Sequence, residues 1–465
     1  MISQRIGNAG VTIISVCGGN AIGWTSPIMG RLQGKTGSYK PMDSPITDFQ
    51  SSWISSSLLI GSIFGSFCGG ICLQKFGRKT SLLMMGGPPA IIGWVFILTA
   101  GNFETLLAAR FIIGVSYSSS LLLLQVYLAE VSSASLRGTL GSMHQLMVNL
   151  GTLVQYAVGP YVSYHALAAF NLAFPVIFTV VFFFMPESPY YLVAVGKREE
   201  AEESLAWLRG GSKSGVCVDV REELNSITKV VEETGIRDSS LRNGLRQLFF
   251  SRGNRRALFA TIGLMINFQL SGFFPVFFNA ESIFRGSITE RPILDASESA
   301  IVIAVVQLVA SLFAAALADQ AGRKPLLAIS SGFVSICLVV LGIYSYLETH
   351  YNSLTANISW VPIVALVMYI TFLCLGLGVF PWVVMGELFP SDVKGVATIV
   401  CGSCNWFTGF IIAVSFQWLL DVTGYYGIYW FYAASCAAGV LFTLLFVPET
   451  KCKTLEEIQY ALNKK

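Results

Sequence analysis

Charge is scarce in this chain of 465 residues. Asp, Glu, Lys and Arg make up 12% of it, about half of the ~25% found in soluble domains. That shortage excludes an ordinary solvated surface over most of the length. The formal net charge is +3, too small to point to nucleic acid as a partner. Histidine is rarer still: His144, His165 and His350 are scattered and form no metal or catalytic cluster. No nucleophile, base and orienting group converge in the pattern, so an enzyme has nothing to stand on, and neither a metal nor another cofactor is implied. A cleavable signal peptide is also missing. Met1 to Gly10 is polar, and the apolar run after it has no small-residue cleavage site, so that run reads as a first membrane span.

Cysteine is not lacking, but its placement excludes a disulfide framework. Cys17, Cys68, Cys72, Cys337, Cys374, Cys401, Cys404 and Cys436 fall in apolar runs, and Cys217 and Cys452 in polar segments expected inside the cell. None falls in a clear outer loop, so no structural disulfide is expected. Cys401 and Cys404 form a CxxC on an apolar helix with no second ligand pair, which reads as core rather than zinc.

What the chain has in quantity is apolar length: 54% hydrophobic residues and a mean hydropathy of +0.63. A membrane span needs ~20 mostly apolar residues. Twelve stretches qualify, near 9–30, 52–73, 80–99, 104–128, 139–162, 166–185, 257–281, 298–318, 325–347, 360–384, 396–420 and 427–447. The chain therefore divides into a bundle over 1–185, a polar segment over 186–256, a second bundle over 257–447 and a tail over 448–465. Basic residues set the orientation. With both termini inside, Lys75, Arg78, Lys79, Arg137, Arg323, Lys324 and Lys394 all lie in inner loops, while the outer loops hold only Arg31, Lys35, Lys40, Arg285 and Arg291. Within the middle segment, Lys197–Arg209 and Asp219–Glu233 show helical apolar spacing with charged opposite faces, and Arg242–Phe250 suggests a third short helix. They form a helical domain docked on the inner ends of the bundle. Asn357-Ile358-Ser359 is a glycosylation sequon on the expected outer side.

The two bundles carry the same phrases in the same order. Gly77-Arg78-Lys79 follows the second span and Gly322-Arg323-Lys324 the eighth. Glu130 stands seven residues before Arg137 at the end of the fourth span, and Glu387 seven before Lys394 at the end of the tenth. Pro186-Glu187-Ser188 ends the sixth, and Pro448-Glu449-Thr450 the twelfth. Such an echo implies two parallel six-span halves that rock about a site at their interface. The charges Arg78, Glu130, Arg137 and Glu187 in one half, and Arg323, Glu387, Lys394 and Glu449 in the other, are expected to pair at the inner face and act as a latch. The plainer alternative, helix-end and topology charges, suits Lys75 and Lys79 better than the glutamates.

These phrases resemble the sugar-porter family of the major facilitator superfamily, the group that includes facilitative glucose transporters. The likeness spans the chain. It is carried by GRK at 77–79 and 322–324, RFIIG at 110–114, YLAEV and LRG within 127–138, PESPYYL at 186–192, QLSG at 269–272, PW at 381–382, ELFP at 387–390, NW at 405–406 and PETKCKTLEEI at 448–458. Gly-Trp-Thr-Ser-Pro at 23–27 looks most like the insect trehalose-transporter branch. The resemblance implies an all-α membrane protein of the major facilitator fold, multi-pass in the cell membrane and working as a monomer without a cofactor. It implies sugar transport by alternating access. Gln145, Gln269 and Asn405 match positions that hydrogen-bond sugar hydroxyls, Gln307 matches a further polar position, and Trp382 and Trp406 match aromatic positions at the site. Amides suit neutral hydroxyls because they donate and accept. The competing account of a membrane amide is an interhelical hydrogen bond, and Asn149 and Gln155 are assigned to it.

Departures from the family pattern fall at the same place. Phe268 replaces a glutamine, Phe274 an asparagine and Cys374 an acidic residue, while Gln125, Gln74 and Val379 break other phrases. A standard hexose fit is put in doubt, and trehalose, a hexose and a polyol all stay open. Proton-coupled members carry an Asp in the first span. Here that position is Thr25, and the cores of spans one to three hold no Asp or Glu. Uniport is expected, with proton symport as the alternative. A non-transporting sensor is a third class, disfavoured by the short segment after the last span.

Overall fold

The computed structural model describes residues 2–34, 44–132, 137–209, 218–234, 241–278, 296–351, 358, 360–451, 457–458 and 462. Nineteen helices run through them. In the first half these are α1 (Ile2–Gly23), α2 (Thr25–Leu32), α3 (Asp48–Phe76), α4 (Arg78–Gly86), α5 (Pro88–Leu98), α6 (Phe103–Val131), α7 (Arg137–Val158) and α8 (Tyr164–Phe183). The polar segment holds α9 (Pro189–Ala194), α10 (Arg198–Leu208), α11 (Val218–Thr234) and α12 (Leu241–Phe250). The second half holds α13 (Arg252–Leu270), α14 (Phe273–Phe278), α15 (Ala296–Ala321), α16 (Arg323–His350), α17 (Val361–Leu375), α18 (Phe380–Leu388) and α19 (Ser391–Phe446).

Among the described residues, nine helical stretches are long and apolar enough to cross a membrane. One of them, Val393–Phe446, is too long for a single crossing and covers both of the last two predicted spans. It breaks at Gly424, whose φ is 67°. The remaining predicted ranges near 9–30 and 139–162 are helical in α1, α2 and α7.

Helices break where the sequence places small residues and proline. α13 gives way to α14 at Ser271-Gly272, where Gly272 has φ 84°. The broken backbone is held from outside: Tyr369 Oη donates to the Ser271 carbonyl at 3.0 Å. α17 gives way to α18 between Gly376 and Val379. There Ser330 Oγ donates to the Phe372 carbonyl at 2.7 Å and accepts from the Leu377 N–H at 3.1 Å. Interrupted helices of this kind free backbone at the interior of a bundle, where a solute is handled.

Close packing within the first half rests on small residues. A methyl on Gly61 would run into the Phe111 carbonyl, and one on Gly114 into that of Leu58, so α3 and α6 touch backbone to backbone. In lipid this contact replaces the hydrophobic drive that water would supply. Between the halves, α3 lies along α19 and α7 along α15. Trp53 meets Phe410 at 6.0 Å on the first seam, and Tyr156 packs on Ala300 and Ala304 on the second. Phe274, Phe278, Trp406 and Ala413 leave the second half's own core and join that of the first.

Candidate substrate site and the charged end of the bundle

At one end of each half, a carboxylate lies across a helix N-terminus. Glu187 Oε1 accepts from the backbone N–H groups of Arg78 at 2.9 Å and Lys79 at 2.8 Å. Glu449 Oε1 accepts from the N–H of Arg323 at 3.1 Å, and its Oε2 from that of Lys324 at 3.1 Å. Both meet unpaired first-turn donors and the positive end of the helix dipole. Burial alone would raise the Glu449 pKa, but the N–H groups of Lys451, Arg323, Lys324 and Thr450 all donate to it, and the net shift is downward. The preceding glycines are required. Gly77 has φ 85° and ψ −178°, and Gly322 has φ 87° and ψ 156°, a region essentially reserved for glycine. A Cβ at Gly77 would stand 2.8 Å from Glu187 Oε2, and one at Gly322 3.1 Å from Glu449 Oε2.

The arginine of each phrase turns to the other glutamate. Arg78 Nε donates to Glu130 Oε2 at 2.8 Å and Nη2 to Oε1 at 2.8 Å. Arg323 Nε and Nη2 reach Glu387 Oε1 at 3.3 Å and 3.1 Å. Ser188 Oγ adds a further bond to Glu130. In the second half the corresponding atoms, Thr450 Oγ1 and Glu387 Oε2, are buried without a partner. All of these bonds lie within one half. Lys394 stands farther from Glu387 but within range of its charge. Arg137 opens α7; its side chain and the whole of Asn357 fall outside the described residues. The helices between the halves brace the first network. Ser204 Oγ donates to the Glu187 carbonyl at 2.6 Å, and Arg209 Nη1 to the Val131 carbonyl at 3.2 Å while its Nη2 pairs with Glu223 at 2.5 Å.

Midway along the bundle the amides meet. Gln145 Nε2 and Gln307 Nε2 both donate to Asn149 Oδ1, at 3.1 Å and 3.0 Å. Asn149 Nδ2 donates to Ser311 Oγ at 2.6 Å. Asn149 is therefore the hub that joins α7 of one half to α15 of the other, a larger role than the simple interhelical bond expected of it. No phrase marks it, because a lone asparagine on an apolar helix carries no spacing signal. Gln155 does form such a bond, a reciprocal amide pair with Asn171 at 2.8 Å and 3.0 Å within the first half. On α13 and α19, Gln269 Nε2 donates to Asn405 Oδ1 at 3.0 Å. Two amide oxygens, Gln269 Oε1 and Gln307 Oε1, are buried without a partner. Trp406 lies 5.5 Å from Tyr117 and 6.4 Å from Trp382. Gly409, one turn beyond Asn405, carries no sequence signal either, yet a Cβ there would stand 3.1 Å from the Phe274 ring and 3.2 Å from Gln269 Oε1.

Arg110 is fully buried in the first half. Its Nη1 donates to the Ala21 carbonyl at 2.6 Å and its Nη2 to Thr25 Oγ1 at 2.9 Å, with the guanidinium over the Trp24 ring at 5.5 Å. Neutral acceptors and a ring face thus hold this cation.

Residues 11–462 match the family model described as "Sugar (and other) transporter". A facilitated trehalose transporter of Bombyx mori is 33% identical over 99% of this chain and 87% of its own length. That of Polypedilum vanderplanki is 33% identical over 98% of this chain and 87% of its own length. Among solved structures, the proton:xylose symporter XylE bound to 6-bromo-6-deoxy-D-glucose superposes with a TM-score of 0.76 at 24% identity, over 98% of this chain and 99% of that one. An inward-open XylE from E. coli gives 0.76 at 22% identity, over 98% of each chain. The helices, the doubled phrases and these likenesses agree: the fold is that of the major facilitator superfamily, and the chain is a multi-pass membrane protein that belongs to the sugar transporter family.

Proposed function

We propose that the protein carries a sugar, trehalose or a hexose, down its gradient as a uniporter. The observation that carries this reading is Arg110. A buried cation that traded protons with a neighbour would need a titratable carboxylate, and this one is held by a carbonyl, a hydroxyl and a ring. The relatives named as facilitated trehalose transporters support both the solute class and the absence of coupling. Proton symport is the second reading, because XylE, which shares the fold, is a proton:xylose symporter.

In this reading Gln145, Gln269, Gln307 and Asn405 exchange their mutual hydrogen bonds for sugar hydroxyls, and Trp382 and Trp406 cover C–H faces. The charged end, Arg78, Glu130, Arg137 and Glu187 with Arg323, Glu387, Lys394 and Glu449, stiffens each half and sets the balance between its two openings. The two bundles over 1–185 and 257–447 rock against each other, with 186–256 as the helical domain that braces their inner ends. The protein works as a monomer in the plasma membrane with both termini in the cytoplasm, which places the Asn357 sequon on the outer side, close to the start of the next span. The test is uptake into liposomes of trehalose and glucose by the full-length protein. Uniport gives equilibration to the external concentration with no change in medium pH. Accumulation above that level, or alkalinisation during uptake, establishes symport instead.

A further inference from the structure

We infer that the site selects a sugar bearing an apolar group, a glycoside with an aromatic aglycone rather than a bare polyol, and that Phe274 sets this preference. The inference rests on the transport reading above and adds a preferred glycoside to the free sugars named there.

Phe274 is 2% exposed and lies at the start of α14, immediately after the helix break that presents Gln269. Its ring stacks on Phe278 at 5.2 Å and faces Trp406 at 6.2 Å. Trp406 continues the surface to Tyr117 and Trp382. The result is a continuous aromatic wall drawn from both halves. Gly409 leaves room for this wall to meet the amide: a Cβ there would press on both the Phe274 ring and Gln269 Oε1.

The polar side of the site is sparing by comparison. Gln269 Nε2 gives one of its two hydrogens to Asn405 Oδ1, and Asn149 Oδ1 already accepts from two amides. Of the site amides Gln145, Asn149, Gln269, Gln307 and Asn405, the buried atoms left without a partner are two acceptors, Gln269 Oε1 and Gln307 Oε1. A solute with hydroxyls on every side would turn several of them to ring carbon, where they lose their water without gaining a partner. A glycoside fits both surfaces: hydroxyls at one end donate to the amide oxygens, and the aglycone lies on the rings. Phe274 also packs into the first half's core, so a purely sealing role is the competing account. It would affect all solutes alike.

The experiment measures direct uptake of D-glucose, trehalose and phenyl β-D-glucopyranoside by the full-length protein in liposomes, in wild type, Phe274→Asn and Phe274→Leu. The expected KM for the phenyl glucoside is about tenfold below that for glucose. Phe274→Asn moves the ratio of the two KM values at least about tenfold toward glucose, and Phe274→Leu moves it less. Should neither variant fold, the wild-type ratio decides. Equal KM values in wild type, or a ratio unchanged in both variants, overturn the inference while transport stands. Uptake of none of the three by folded protein overturns the transport reading and this one with it.

Discussion

Thr450 occupies in the second half the place that Ser188 holds in the first, and the two hydroxyls behave differently. Ser188 Oγ donates to Glu130, whereas Thr450 Oγ1 and Glu387 Oε2 are both buried and unpartnered. A hydrogen bond to a charged group contributes about 1.5–3 kcal/mol, whereas a buried hydroxyl without a partner contributes none of this and still carries its desolvation cost. Ser188→Ala is therefore expected to lower stability by about 1.5–3 kcal/mol, while Thr450→Val, which removes an unpartnered buried hydroxyl, leaves it unchanged or raises it by about 1 kcal/mol. Thermal melts of the two purified variants in one detergent compare them. Equal shifts refute the asymmetry.

The glycines of the repeated phrase make a second expectation. Alanine at Gly77 or Gly322 must adopt a backbone region costing about 1–3 kcal/mol and also press on a carboxylate. Gly101 meets nothing within 4 Å of an added Cβ, and its φ is not positive. Gly101→Ala is the control and leaves the melting temperature unchanged. If Gly77→Ala and Gly322→Ala melt with it, the phrase has another purpose.

Acid should loosen the second half through Glu449. Its carboxyl titrates below the usual range in the folded state because backbone donors outweigh burial. A depressed pKa means that its contribution is fully present above the unfolded value, about 4.3 for Glu. The contribution is lost as pH falls from there through the lower folded value. Melts of wild type and Glu449→Gln converge as the pH is lowered through this window and separate above it. Parallel curves at every pH would show that the shift has no energetic weight.

The latch itself is tested at Glu130. Its carboxylate takes a forked pair of bonds from Arg78, with side chains 11% and 15% exposed. Glu130→Gln keeps the shape and removes the charge, and is expected to slow transport and shift the balance between the two openings by about 1–2 kcal/mol. Solute affinity of each open form stays unchanged. Normal flux at normal surface level sinks the latch.

The doubled phrases make this end of the bundle legible in the amino-acid sequence. A glycine, an arginine and a distant glutamate in fixed order are demanding together, so their recurrence is hard to produce by chance. The helix pattern is as readable, because apolar length is its own signal. The middle of the site is not. Gln155 and Asn149 look alike in sequence, yet one closes a pair inside a half and the other joins the halves. Gly409 gives no signal, since its meaning depends on a ring and an amide arriving from α14 and α13. What stays hidden is whatever depends on which faces of separate helices meet.

That difference between two amides yields the last expectation. Gln155→Ala breaks a buried reciprocal pair with Asn171 within one half and leaves polar atoms unmatched. It is expected to cost about 1–3 kcal/mol of stability with solute binding unchanged. Asn149→Ala removes the acceptor shared by Gln145 and Gln307 and the donor to Ser311. Its main effect falls on the contact between α7 and α15, so the equilibrium between openings shifts and solute affinity changes by about 5- to 150-fold. Spin labels on the two halves, with binding measured on the same samples, separate these outcomes. If Asn149→Ala alters stability alone, the amide hub is structural and the solute site lies with Gln269 and Asn405.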